Sequence, residues 1–258
     1  MNRIVAMIQA LLLAVVVVGC TARTNPEDPP EVNPEQAKAV DELEKLGGRV
    51  IVGRYDLKTL DSAIIDVNLS ESNVTDAGLK CLNGQGHLHT LNLNKTQVTD
   101  AGIESLEGLT NLQALSLVGT HVAGIGLKGL TTLHWLNQDG AQVDDAGLKS
   151  LEGLKDLRWL ELGGTKVTDA GMVYLEGLTN VENLGLLETK IGDAGLDHLK
   201  GLTNLKTLTI RGTQVTDSGL KSLKGLTNLK SLNLVGTKVS DEGVKKLQHA
   251  LPDCKIER

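Results

Sequence analysis

Val74, Val98, Val122, Val143, Val167, Ile191, Val215 and Val239 open successive copies of one unit, each 24 residues after the last except for a single step of 21, from 122 to 143. A unit this short cannot bury its own apolar face, so its packing partner has to be the next copy. A typical copy, Val143 to Lys166, reads VTDAGLKSLEGLKDLRWLELGGTK. Its apolar residues fall 0, 5, 8, 11, 14, 17 and 19 positions after the opening valine, so a spacing near three gives way to a spacing of two. That change of period predicts a short helix followed by a strand in every copy. Thr or Asp (Thr75, Asp76, Thr99, Asp100, Thr168, Asp169) stands where the helix needs an N-cap, and a Gly (Gly84, Gly108, Gly153, Gly177, Gly201, Gly225) where it must stop. Aromatic residues make up 2% of the chain and Phe is absent, so the core between copies has to be aliphatic.

The stretch Leu157 to Thr165 matches the pattern LxxLxLxxNxL, with Thr165 in place of the usual Asn. Over residues 64 to 256 the chain resembles bacterial leucine-rich repeat (LRR) lipoproteins built from VTDxGL-type repeats. The resemblance implies an α/β fold, a right-handed leucine-rich repeat solenoid with a parallel β-sheet on the concave face and short helices on the convex face. In such a solenoid the row Thr96, Thr120, Thr165, Thr189, Thr213 and Thr237 would bond backbone groups in the turn beside each strand. The ends of the stack need covers. Residues 34–73 are assigned to an N-terminal cap with the first strand, 74–238 to seven repeats, and 239–258 to a C-terminal cap repeat. In the first cap Asn33-Pro34-Glu35 starts a helix, Ala39, Val40, Leu43 and Leu46 line one side of it, and Gly47-Gly48 ends it. Val50–Val52 and Ile64–Leu69 follow as strands, and Leu251 to Ile256 reads as the last one.

Arg3 precedes an apolar run from Ile4 to Val18, broken only by Gln9 and too short to span a bilayer comfortably. A basic start, a short apolar run and a small residue before the cut predict a secretory signal over 1–19. Val17-Val18-Gly19-Cys20 resembles the lipobox of bacterial lipoproteins, which implies acylation of Cys20 and lasting attachment to a membrane. Residues 20–33, rich in Pro and acidic side chains and nearly devoid of apolar ones, then form a tether. The expected location is the bacterial cell envelope, lipid-anchored at the outer membrane or facing the periplasm.

Catalytic chemistry leaves no trace in the sequence. There is no GxSxG, HExxH or P-loop, and His87, His89, His121, His134, His198 and His249 form no helical ligand pair. Cys81 and Cys254 fall about seven strand steps apart, roughly 30 Å in a stacked sheet, too far for a disulfide. No enzyme activity, metal or cofactor is expected. Asp76, Asp100, Asp145, Asp169, Asp193, Asp217 and Asp241 form a regular row, read as caps on their own helices rather than as a divalent cation site. A net charge of -6 without blocks of like charge argues against nucleic acid. The charge is uneven, with 11 basic and 5 acidic residues from Lys200 onward against 14 and 27 over 21–199; this reads as a solvated surface, with contact to an acidic partner, anionic lipid or a second copy as the alternative.

Specificity has to lie where the repeat leaves positions free. Slots 17 and 19 point into the core, so slots 16, 18 and 20 face outward on the concave sheet. Slot 16 runs Thr90, Ala114, Trp135, Trp159, Asn183, Thr207, Ser231, which places both tryptophans of the protein on adjacent strands. Asn137, Asp139 and Glu161 surround them. An exposed Trp brings large area together with a polar N–H, so this group is the candidate ligand-binding site for a protein partner. A carbohydrate or peptidoglycan ligand is the alternative, with Trp135 and Trp159 stacked on sugar faces and the three polar residues bonding hydroxyls. The 21-residue copy departs from the pattern, with Gln138 at the slot of a core leucine and Ala141 in place of the row threonine, and reads as a worn repeat.

Overall fold

The structure is a computed structural model that describes residues 34–54 and 62–258. The expected signal over 1–19, the tether over 20–33 and the lipidation site Cys20 lie outside the described residues. The described residues form one ten-stranded sheet in which strand order follows chain order. β1 (Arg49–Arg54) pairs antiparallel with β2 (Ser62–Asn68), with a register shift between Ile51 and Val52. This hairpin is the one departure from the parallel sheet that the repeats predict. From β2 onward every pairing is parallel: β3 (Thr90–Asn92), β4 (Ala114–Ser116), β5 (Trp135–Asn137), β6 (Trp159–Glu161), β7 (Asn183–Gly185), β8 (Thr207–Thr209), β9 (Ser231–Asn233) and β10 (Lys255–Glu257). Each residue faces the residue in the same slot of the next copy, which confirms the slot reading.

The leucine ladder supplies the core. In the copy that opens at Val143, all seven predicted positions, Val143, Leu148, Leu151, Leu154, Leu157, Leu160 and Leu162, are 0% exposed. The connections between strands are short α segments, as at Asp100–Glu104, or 3-10 segments, as at Asp169–Leu175. Segments this brief lack the length to settle into regular α geometry. Tyr174 lies on one of them, partly covered against the core. The first helix, Pro34–Lys45, buries Ala39 and Leu43 against the stack.

Two hydrogen-bond rows run along the stack, one within each copy and one between copies. The threonine row behaves as predicted: each hydroxyl donates to the carbonyl three residues back, at 2.6–2.8 Å. The aspartate row does not cap its own helices. Asp145 accepts from the backbone N–H of Thr168 at 2.8 Å and from its hydroxyl at 2.6 Å, in the following copy. Asp76 with Thr99, Asp193 with Thr216 and Asp217 with Ser240 repeat the arrangement. The motif VTDxG is thereby explained as a lock across the joint. A methyl group at Gly171 would overlap the Asp145 carboxylate, and Gly102, Gly195, Gly219 and Gly243 meet the preceding aspartate likewise.

One other expectation is corrected. Gly47 ends the first helix with a left-handed backbone (φ 86°), but of the glycines read as helix stops within the repeats only Gly84 does so (φ 81°); apart from Gly124, the other left-handed glycines lie after the strands, at Gly119, Gly140, Gly164, Gly212 and Gly236. Lys95 and Glu188 take that same turn with φ of 55°. The 21-residue copy has no aspartate to offer Asp144, which caps its own helix through Ala146 and Gly147. A Cβ on Gly147 would collide with the carbonyl of Ala123, so the joint closes backbone to backbone.

Candidate functional site

β5 and β6 place the predicted group together. Trp135 pairs with Trp159, Leu136 with Leu160, and Asn137 with Glu161. The leucines turn inward, so both indoles stand on the outer face of the sheet, side by side and half-buried. Buried Ala114 lies beside Trp135 on β4, and Asn183 lies beside Trp159 on β7.

Below the rings the polar residues are held fast. Trp159 Nε1 donates to Glu161 Oε1 at 2.7 Å. The other oxygen of Glu161 lies over Gly185, where any side chain would occupy the same space. Asn137 Oδ1 accepts from the backbone N–H of Asp139 at 2.9 Å, and Asp139 Oδ1 accepts from that of Gly163 at 2.6 Å. Gly163 also makes room for the Leu187 side chain, whose Cγ would sit 2.7 Å from a Cβ there. Burial raises the Glu161 carboxyl to about 7, assisted by the neighbouring Asp139 charge and opposed by the Trp159 hydrogen bond. Burial likewise raises Asp139, opposed by the Gly163 N–H. Among the described residues no cation comes close enough to bear on either carboxylate.

All five predicted residues thus share one surface, yet they differ in freedom. Asn137 is buried and its carbonyl is committed to the backbone, as is one oxygen of Asp139. Gly163 and Gly185 are contributors that the sequence reading left unremarked; glycine at two outward slots next to two carboxylates was the available signal. Directly behind the rings lies Gln138, 0% exposed, with neither Nε2 nor Oε1 hydrogen-bonded. Elsewhere His134 Nδ1 lies 2.8 Å from the carbonyl of Thr132 and His198 Nδ1 lies 2.6 Å from Glu176. No group of three or more His, Cys, Asp or Glu converges on a metal position among the described residues. Cys81 and Cys254 are free thiols, and burial pushes Cys81 up to about 11. In the basic last third, Lys206 pairs with Glu182 and Lys255 with Glu257 at the surface.

The profile of the family described as Leucine Rich repeat matches residues 87–106, 201–224 and 225–247. No curated protein matches the chain significantly in sequence. Among solved structures, internalin C2 of Listeria monocytogenes is similar at 24% identity with a TM-score of 0.64, over 91% of this chain and 100% of that one. The internalin inlF of the same organism shares 23% identity at a TM-score of 0.54; the match covers 74% of this chain and 57% of inlF. A plant peptide hormone receptor, RGFR1, solved in complex with RGF2, shares 16% identity at a TM-score of 0.53, over 73% of this chain and 31% of the receptor. At such identities the likeness is one of fold, and with the matched repeats it establishes a leucine-rich repeat solenoid, an architecture typical of protein–protein interaction modules.

Proposed function

We propose that the outer face of the sheet binds a protein partner without catalysis, with Trp135 and Trp159 as anchors and Asn137, Asp139 and Glu161 at their border. We place the module in the bacterial cell envelope, held there by lipidated Cys20. The observation that carries the binding face is the cross-strand pairing of Trp135 with Trp159, half-buried on a face whose slots 16 and 18 otherwise hold only small and polar residues. Large rings already ordered by their neighbours lose little conformational freedom on binding and remove much apolar area from water. The plant receptor, similar in fold, was solved with RGF2 bound, which supports a ligand-binding role for this architecture. A carbohydrate ligand would use the same two rings as a stacking platform.

Crosslinking the full-length protein in its native membranes tests the reading. The Trp135→Ala/Trp159→Ala variant loses the crosslinked protein, and Cys20→Ser moves the chain from the membrane fraction to the soluble one. Retention of every crosslink in the double tryptophan variant overturns the binding face; membrane retention of Cys20→Ser overturns the anchor. Quenching of indole emission by sugar oligomers, with no protein captured, replaces the protein partner by a glycan.

A further inference from the structure

We infer that the Trp159–Glu161–Asp139 patch receives the guanidinium of an arginine side chain presented by the partner. The inference rests on the reading that this face binds a protein, and it names the chemistry of the central contact.

Two carboxylates meet on one face of adjacent strands, since Asn137 pairs with Glu161 and Asp139 follows two residues beyond Asn137. Neither has a cation against it among the described residues. Other carboxylates near the sheet are served: Glu182 by Lys206, Glu257 by Lys255, and Asp66 by the Thr90 hydroxyl. Desolvated negative charge without a counter-charge is costly, and an incoming cation relieves that cost. The burial that raises both carboxyls is the same effect seen by proton binding.

The surroundings select among cations. Half-buried indole faces attract a delocalised, weakly hydrated guanidinium, which gives up its water more readily than an ammonium does. Glu161 Oε1 is occupied by Trp159 and one oxygen of Asp139 by Gly163, so both carboxylates are fixed in place before the ligand arrives. A guanidinium presents a planar fork of donors suited to carboxylates held in this way. A metal ion finds too few donors, because no third His, Cys, Asp or Glu joins the pair. Residues 62–199 carry 8 basic and 18 acidic side chains, so the long-range field draws a cation toward this part of the stack.

Both tryptophans of the protein lie in the patch, so indole emission of the full-length chain reports on it directly. The probes are acetyl-arginine amide and its neutral isostere acetyl-citrulline amide, titrated at pH 8. Arginine amide changes the emission saturably, and citrulline amide binds at least about tenfold more weakly. Glu161→Gln/Asp139→Asn abolishes the difference between the two probes. Both substitutions keep an acceptor oxygen for Trp159 and for the Gly163 N–H, and a melting temperature no lower than that of the native chain confirms that they fold. Equal titrations by the two probes overturn the inference, as does an undiminished arginine response in the double variant. A response to N-acetylglucosamine oligomers without one to arginine amide overturns it in favour of sugar stacking. If a crosslinked protein depends on the tryptophans but binds Glu161→Gln/Asp139→Asn with unchanged Kd, the arginine contact fails and the binding face stands.

Discussion

Trp159 and Glu161 stand two residues apart on β6, and the indole N–H of one donates to the carboxylate of the other at 2.7 Å. Alternation along a strand puts both on the outer face, and the bond fixes each by the other. The polar edge of the ring is thereby already used, and what a ligand meets is the half-exposed apolar part. The carboxylate is drawn over Gly185 on the next strand, away from water, and still feels the charge of Asp139. A binding face built this way is ordered in advance, at the expense of an unfavourable charge.

That expense gives a pH dependence. The folded chain holds the Glu161 proton up to about 7, whereas the unfolded chain releases it near 4.5. Between those values the folded state binds more protons, so stability falls as pH rises through this interval and levels off above it. Glu161→Gln removes the titration and keeps an acceptor for Trp159. The variant is expected to be about 1–3 kcal/mol more stable than the native chain at pH 8, with the advantage gone by pH 4. Chemical unfolding at pH 4, 6 and 8 measures it, and a stability difference that stays constant across the series contradicts the assignment.

Behind the rings, Gln138 fills a slot that leucine or isoleucine holds in the other copies, with its amide fully buried and unbonded. A buried amide without partners costs about 1–3 kcal/mol. Gln138→Leu restores the ladder between Leu117 and Leu162 and is expected to stabilise by that amount, raising Tm by about 2–4 °C for each kcal/mol in a chain of this size. Leu162→Gln, the same exchange one copy on, is expected to destabilise. If Gln138→Leu lowers Tm, the amide has a role that its burial conceals.

How much was legible follows from where each signal lies. Leucines spaced by two at the end of every copy fix strand direction and register, so the pairing of Trp135 with Trp159 could be read from one repeat and its period. The threonine row was equally readable, because each hydroxyl bonds a carbonyl three residues away in its own turn. The aspartate row was misread, since Asp145 at a helix start is as compatible with capping its own helix as with reaching Thr168. Its true partner lies 23 residues on, and the only hint was the glycine that always follows two residues later. Asn137 and Asp139 were read as free ligand groups for a similar reason: their backbone partners depend on side-chain direction. Nor did the pattern mark the turn after each strand, where Glu188 takes a left-handed backbone that glycine holds in the neighbouring copies.

The lock across the joint can be measured at Asp145, Thr168 and Gly171. Asp145→Ala leaves the N–H and hydroxyl of Thr168 without their acceptor and is expected to cost about 1–2 kcal/mol. Gly171→Ala forces a methyl into the carboxylate and to 3.0 Å from the Asp145 Cα, with an expected cost of about 2–4 kcal/mol. Alanine is otherwise favoured over glycine in a helical segment, so this loss reports the collision and not the local conformation. With the carboxylate gone the methyl meets mainly backbone, which yields by a few tenths of an ångström. The double variant Asp145→Ala/Gly171→Ala is therefore expected to fall short of the sum of the single losses by about 1 kcal/mol or more. Chemical unfolding of the four chains gives the coupling. Strict additivity contradicts the lock and returns Asp145 to the capping of its own helix.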